Sequence, residues 1–364
     1  MASKRTPLYE EHKKNDGIIV EFAGYSLPIS YSSINKEHNT VRQKVGVFDV
    51  SHMGEFIISG PDSLNFLQKV TTNDLRKLRY GQAQYSLMCN ENGGIIDDLI
   101  IYKKRNDYLL VVNASNREKN LKWLKKHRNS NVSIKDISDS IGLLAVQGPK
   151  SRKILNQLFN IDFNKLSFYH FQYGSIKGFN VLISRTGYTG ELGYEIFVKS
   201  KNLIELWKII LSTGKEFGIS PVGLGCRDTL RMEMRYHLYG LDIDENINPI
   251  EAGLSWVTKF DKKFFIGKSK LAKFNKNSQK KLVCIEMAEK AIPRTGNRIV
   301  FNNKIIGKVT SGTMSPSLKK GICIGYIESI YYQKKEKIFI DIRGKKKKGF
   351  IVDSPFYKNG SLLD

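Results

Sequence analysis

Two adjacent carboxylates, Asp97 and Asp98, interrupt an apolar, β-branched run, GGIIDDLIIY. Side chains alternate between the two faces of a strand, so this pair must diverge. One of the two then points toward a core or cavity, where a carboxylate is costly unless it is hydrogen-bonded or functional. An edge-strand aspartate capping a neighbouring turn is the plainer alternative. A second constellation is Ser184–Glu195, SRTGYTGELGYE, in which three glycines punctuate Arg185, Tyr188 and Glu195. The glycines permit tight turns and close backbone approach to a ligand. Tyr188 can stack on or hydrogen-bond a planar ring, and Glu195 in a strand can accept paired N–H donors from a pterin-like edge. A plain hairpin turn with a surface glutamate is the alternative here. The segment lacks the GK[ST] ending of a phosphate loop and does not open a helix. Arg227, near a helix start and followed by Glu233 and Tyr236, offers a guanidinium fork that matches carboxylates bidentately. An ion pair with Asp228 or Glu233 would equally account for it.

The elements that must position these residues can be traced by pattern. Glu55–Ser59 and Leu143–Gln147 read as strands, each followed by Gly-Pro and an amphipathic helix, with proline suited to the first helical turn. The echo hints weakly at related modules. Ile95–Lys103 and Tyr108–Asn113 read as a strand pair around the turn Arg105–Asp107, followed by a helix Arg117–His127. Strands are predicted at Asn180–Ser184 and Tyr194–Val198. Lys201–Phe217 carries Leu203, Leu206, Ile210 and Leu211 at helical spacing, and a further helix from near Gly225 to Tyr236 sets Arg227 and Arg231 four apart on one face. From about Gln279, short strands alternate with Gly, Asn and Lys turns, including Asn302-Asn303 and a basic turn at Gly344–Gly349, which describes a small all-β domain.

Bulk properties narrow the class. A chain of 364 residues with 41% hydrophobic and 11% aromatic residues is an ordinary globular composition with room for two or three domains. No stretch nears the roughly 18 uninterrupted apolar residues of a membrane span. The opening MASKRTPLYEEH has neither an apolar core nor an Arg/Ser-rich leader, so a cytoplasmic location is expected. Cys89, Cys226, Cys284 and Cys323 are far apart, three of them in apolar runs, which reads as buried thiols in a reducing compartment. The six histidines are equally scattered, and no metal site is expected. The formal charge of +24 reflects 59 basic against 35 acidic residues. It is either compositional bias spread over a solvated surface or attraction for an anionic partner. The basic runs Lys125–Arg128 and Lys345–Lys348 sit beside loops and lack interleaved aromatics, which disfavours nucleic-acid stacking.

Taken in order, the segments RTPLYEEH, FAGYSLPISY, VRQKVGVFDVSHMGEF, GGIIDDL, AVQGPK, SRTGYTGELGYE, LYGLDIDEN, VTSGTMSPSLKKGICIGY and SPFY make a chain that resembles the T-protein, or aminomethyltransferase, family of the glycine cleavage system nearly end to end. The resemblance implies an α+β fold, a three-domain cloverleaf around a central folate cavity. Its units would be 1–52 with 139–252 (α+β), 53–138 with 253–278 (antiparallel sheet with helices), and an all-β, jelly-roll or barrel-like unit at 279–364. It implies transfer of a methylene group from the aminomethyl-dihydrolipoyl arm of a lipoylated H-protein to tetrahydrofolate as co-substrate, giving 5,10-methylenetetrahydrofolate and ammonia without metal or flavin. Carried over by position, Asp98 is the catalytic carboxylate, and Glu195 and Arg227 are a folate-contacting pair. Met53, Tyr85, Asn113, Tyr188 and Tyr236 match cavity positions, and Arg294 resembles an arginine near the mouth of the site. Phe168 stands where some members have a cavity tyrosine, and the tail YKNGSLLD after Phe356 lacks the late tyrosine that some members carry, so C-terminal folate contacts are left open.

The chemistry suits these residues. The donor carbon lies between nitrogen and sulfur, so a carboxylate can orient the attacking folate amine and steer a proton toward departing ammonia, while binding excludes water. The positive surface would steer an acidic carrier protein. Four rivals fit less well. A folate-dependent demethylase on the same scaffold is disfavoured by the intact GGIIDDL and RTGYTGELGYE wording. A flavin-linked amine dehydrogenase would need a GxGxxG half, and a folate-binding protein of iron–sulfur assembly would carry a KGCYxGQ-like segment. A basic nucleic-acid-binding protein is the reading that charge alone would suggest.

Overall fold

A computed structural model describes residues 3–274, 278–333 and 336–364; residues 1–2, 275–277 and 334–335, which fall within the three expected units, lie outside the described residues. Among the described residues, two larger antiparallel-rich sheets, a small sheet of Lys4–Arg5, Tyr25–Ser30 and Ile18–Phe22, and a barrel hold the strands. The first sheet runs Phe171–Ile176, Phe179–Ser184, Gly193–Lys199, Ile141–Gln147, Val45–Asp49, Ile219–Pro221 in spatial order. One face is covered by helices Ser151–Leu158 and Leu203–Gly214, whose Ile154, Leu155, Leu206, Trp207 and Ile210 pack on Val47, Leu144, Val146 and Ile196. The second sheet runs Ala83–Cys89, Ile95–Lys103, Asp107–Val112, Gly54–Ser59, Ser133–Asp136. Its outer face carries helices Ser63–Val70 and Arg117–His127 through Phe66, Leu67, Val70 and Leu124.

The remaining faces of the two sheets meet. Phe48, Val50, Leu143, Ala145, Leu182 and Phe197 of the first pack on Tyr102, Leu109 and Val111 of the second. Strand alternation makes this possible, because each sheet is apolar on both faces and must be buried twice. The sandwiched layer is where a cavity can open.

The α+β expectation and the all-β end are both found. Strands Lys280–Met287, Lys320–Glu328, Lys304–Ser315, Arg298–Phe301, Lys337–Ile342 and Lys345–Val352 close into a six-stranded barrel. Its outer Leu282, Cys284, Ile322, Ile324 and Tyr326 pack on Met232 of helix Leu224–Glu233 and on Phe356. All four cysteines are buried and free. Among the described residues no helix is long and apolar enough to cross a membrane.

Three local expectations need correction. Pro61 and Pro149 precede the helices, which begin at Ser63 and Ser151. The tight feature ahead of them is the glycine: Gly60 and Gly148 have φ of 109° and 133°, and an added Cβ would lie 2.1 Å from the Asn131 carbonyl and 2.3 Å from that of Lys44. The expected basic turn at Gly344–Gly349 is a two-residue turn at Arg343-Gly344, both with positive φ, and Lys345–Lys348 already belongs to a strand paired with Lys337–Ile342. Solvated lysines on a barrel exterior do not stop a strand. The helix expected to reach Tyr236 ends at Glu233, because Arg235 adopts φ 58°.

Candidate active site

Strand Ile95–Lys103 separates the two aspartates. Asp97 faces the helical side with Leu99 and Ile101, and Asp98 faces the gap between the sheets. Fully buried, Asp97 accepts the backbone N–H of Asn113 at 3.2 Å and the side-chain amides of Asn113 at 2.8 Å, Asn116 at 2.6 Å and Asn120. Burial and the neighbouring Asp98 charge push its carboxyl up to about 7, against the lowering pull of those amides. Asp98 accepts the Tyr85 hydroxyl at 3.0 Å and the Asn113 amide at 2.7 Å. Burial raises its pKa, and these two donors oppose the rise.

A cavity of ≈ 440 Å³ opens beside Asp98. Met53, Tyr85, Asp98, Asn113, Tyr188, Glu195, Arg227 and Tyr236 all line it, although they come from stretches up to 183 positions apart (Met53 to Tyr236). Glu195, from strand Gly193–Lys199, takes a short hydrogen bond from the Thr186 hydroxyl; burial raises its pKa while Thr186 and Arg227 lower it. The ion pairs that could have explained Arg227 do not form. Asp228 is paired with Arg231 at 2.8 Å, and Glu233 with Arg42 at 2.7 Å. Arg227 instead lies over the Tyr188 ring at 4.5 Å, and Tyr188 stacks on Tyr236 with centroids 5.4 Å apart. Among the described residues no carboxylate lies within ion-pair distance of it, so its charge is available to a ligand.

Arg294 lies elsewhere. It lines an adjoining cleft of ≈ 600 Å³, which shares Tyr188 and Arg227 with the cavity, and it donates to the Gly312 carbonyl at 3.3 Å. Phe168 does line the cavity, and its neighbour Tyr169, at φ 60°, brings a tyrosine to the same wall. Several wall residues carried no sequence signal. Trp256 is 60% exposed and stacks on Tyr85 with centroids 5.9 Å apart and planes at 17°. Ser354, Pro355 and Leu362 reach the cavity from the C-terminal tail, which is tied down by Arg185 donating to the Asp364 main-chain oxygen at 2.6 Å and by Glu191 accepting from Ser361. An unusual φ and an exposed tryptophan are visible only once the backbone is in place.

The arrangement suits a flat, nitrogen-rich ligand. Aromatic faces can hold its plane, Asp98 and Glu195 can accept from its N–H groups, and Arg227 can meet an anionic or carbonyl edge. Among the described residues no cluster of three or more His, Cys, Asp or Glu has the spacing to hold a metal ion.

Comparison with known proteins supplies the family. A family model described as the GCVT N-terminal domain matches residues 8–262, and one described as the glycine cleavage T-protein C-terminal barrel domain matches 280–358. The chain is 47% identical to an aminomethyltransferase of Halothermothrix orenii, over 97% of this chain and 99% of that one. It is 48% identical to an aminomethyltransferase of Bacillus subtilis, over 98% and 99%. The crystal structure of the glycine cleavage system aminomethyltransferase T from Bartonella henselae superposes with a TM-score of 0.92 at 31% identity, covering 98% of this chain and 99% of that one.

Proposed function

The chain belongs to the glycine cleavage T-protein family, and from that premise we propose that it moves the methylene group of an aminomethyl-dihydrolipoyl arm, carried by a lipoylated H-protein, onto tetrahydrofolate. The products are 5,10-methylenetetrahydrofolate, ammonia and the dihydrolipoyl arm. The observation that carries this reading is the Asp98 carboxyl, aimed into a cavity with stacked tyrosines, a second carboxyl at Glu195 and an ion-pair-free Arg227. A volume of ≈ 440 Å³ falls in the range of pockets that enclose drug-sized ligands.

In this reading Glu195 and Arg227 hold the pterin and Tyr188 and Tyr236 keep its plane. Asp98 orients the folate amine that attacks the donor carbon. As the new C–N bond forms and the bond to the amino nitrogen breaks, the proton lost by the attacking amine passes by way of Asp98 toward the departing ammonia. A second amine attack then releases the thiol sulfur. Water must be excluded from the iminium-like carbon, and the dry walls Val50, Leu143 and Leu254 serve that end. The three units given above each contribute to the wall. Arg294 would meet the part of the folate that leaves the cavity through the adjoining cleft, and the +24 charge would steer an acidic carrier in the cytoplasm.

Reconstitution tests the reading. Lipoylated, aminomethyl-loaded H-protein and tetrahydrofolate are mixed with the enzyme, and ammonia is measured. One ammonia per loaded arm, released only quickly when folate is present, is expected; release at the same rate without folate or without enzyme would refute it.

A further inference from the structure

The carboxylate without a place in the reaction is the more firmly held of the pair. Asp97 is fully buried toward helix Arg117–His127 and collects four N–H donors from Asn113, Asn116 and Asn120. In all four contacts the carboxylate accepts, so it dictates which end of each side-chain amide turns inward. Asn120, on Oδ2, satisfies a buried charge; Asn116 shares Oδ1 with Asn113 and so steadies the oxygen that Asn113 meets. For Asn113 the consequence reaches the cavity.

The Asn113 amide nitrogen donates to Asp97 Oδ1 at 2.8 Å and to Asp98 Oδ1 at 2.7 Å, and lies 3.2 Å from the Asp98 carbonyl. Both of its N–H bonds are spent on the two aspartates. Its Oδ1 accepts no hydrogen bond from the described residues, on a side chain that lines the cavity. A flipped amide would set a carbonyl oxygen against two carboxylates with no hydrogen between them, a costly arrangement at low dielectric.

We propose that Asp97 is a positioning residue that locks the Asn113 amide with Oδ1 offered to the ligand, making, beside the Asp98 carboxylate, a two-acceptor seat for an N–H donor of a reduced pterin. The proposal rests on the folate reading and adds a selectivity to it. Tetrahydrofolate carries ring N–H donors at positions where oxidised folate has bare ring nitrogens, which are acceptors. Two fixed acceptors welcome the first and oppose the second, lone pair against lone pair. Sites built to pair with a donor reject analogues that lack it far more strongly than apolar pockets reject a missing methylene.

The test is an anaerobic fluorescence titration of the full chain with tetrahydrofolate and, separately, with oxidised folate. Wild type, Asp97→Asn and the milder Asn116→Ala are compared, and thermal unfolding reports whether each variant is folded. Wild type is expected to favour the reduced ligand on the order of 100-fold. Asp97→Asn places an NH₂ among the asparagine donors and frees Asn113 to turn; its preference should fall about tenfold or more, through weaker tetrahydrofolate binding at little cost to oxidised folate. Asn116→Ala should move the ratio the same way by roughly threefold. An unchanged ratio in whichever variant folds, or equal weakening of both ligands, overturns the proposal while leaving the folate reading intact. Failure of wild type to bind either ligand would bring down that reading, and this proposal with it.

Discussion

Tyr85 donates its hydroxyl to Asp98 Oδ2 at 3.0 Å, diagonally across the antiparallel pairing of Ala83–Cys89 with Ile95–Lys103, in which Tyr85 itself lies opposite Ile100. Diagonal neighbours on one sheet face are within reach of a long aromatic side chain. The hydroxyl lowers the Asp98 pKa against the rise caused by burial. Tyr85→Phe should therefore raise that pKa further. If the ionised carboxylate orients the amine, the acid limb of the pH–kcat profile moves to higher pH, and a limb that stays put would separate Tyr85 from the titration. Asp98→Asn should abolish methylene transfer, read as ammonia release, with thermal unfolding within a few degrees of wild type. Near-normal turnover would remove Asp98 from the mechanism.

Arg227 is poised by a ring and not by a carboxylate, with Tyr188 at 4.5 Å. Arg227→Lys keeps a charge but loses the planar fork and its stacking. Its KM for tetrahydrofolate should rise on the order of tenfold with kcat less affected, as charge-assisted hydrogen bonds are worth about 1.5–3 kcal/mol. Steady-state kinetics at fixed carrier concentration measures this. An unaltered KM would place the folate elsewhere.

Glu233 joins helix Leu224–Glu233 to the barrel and to helix Ile34–Gln43: it accepts from Arg42, His38, Ser315 and Ser317. Although burial raises its pKa, the His38 and Arg42 partners pull it down to about 2. A depressed carboxylate contributes stability above its ordinary value of about 4.5, and that contribution is lost as pH falls toward 2. Glu233→Gln should cost roughly 3–5 kcal/mol near neutral pH. Urea unfolding of variant and wild type at pH 7 and pH 3 should show the difference shrinking on acidification. A difference that is constant with pH would mean that packing, not charge, holds the junction.

Carrier docking should weaken steeply between low and physiological salt, because exposed charges more than about 8–10 Å apart are screened there. Surface plasmon resonance with lipoylated H-protein at 20 and 200 mM salt (roughly 21 and 7 Å Debye length) tests this. Salt-insensitive affinity would leave the +24 charge without a role in docking.

Much was legible along the chain because it is local. An apolar, β-branched run marked Ile95–Lys103 as a strand, strand geometry required its two aspartates to diverge, and the helix Arg117–His127 is observed at the residues expected. The glycines of Ser184–Glu195 announced a close-packed turn, and the wording and order of the segments carried the family. Arg227 was legible as a cation near a helix start, but the partners that would have neutralised it were open until Asp228 and Glu233 were found engaged with Arg231 and Arg42.

What periodicity leaves undecided is what covers each face. A strand with a period of two says that Asp97 and Asp98 point apart; it does not say which side receives the helix Arg117–His127 and which receives a second sheet. That choice is made by contacts between residues far apart in the chain, such as Val111 against Leu143 and Asp97 against Asn120. The same holds for Trp256, Tyr169 and the tail at Leu362, whose neighbours in sequence have nothing to do with the cavity they line. Local backbone preferences are written residue by residue, whereas a cavity exists only where separately specified surfaces meet and fail to fill the space between them.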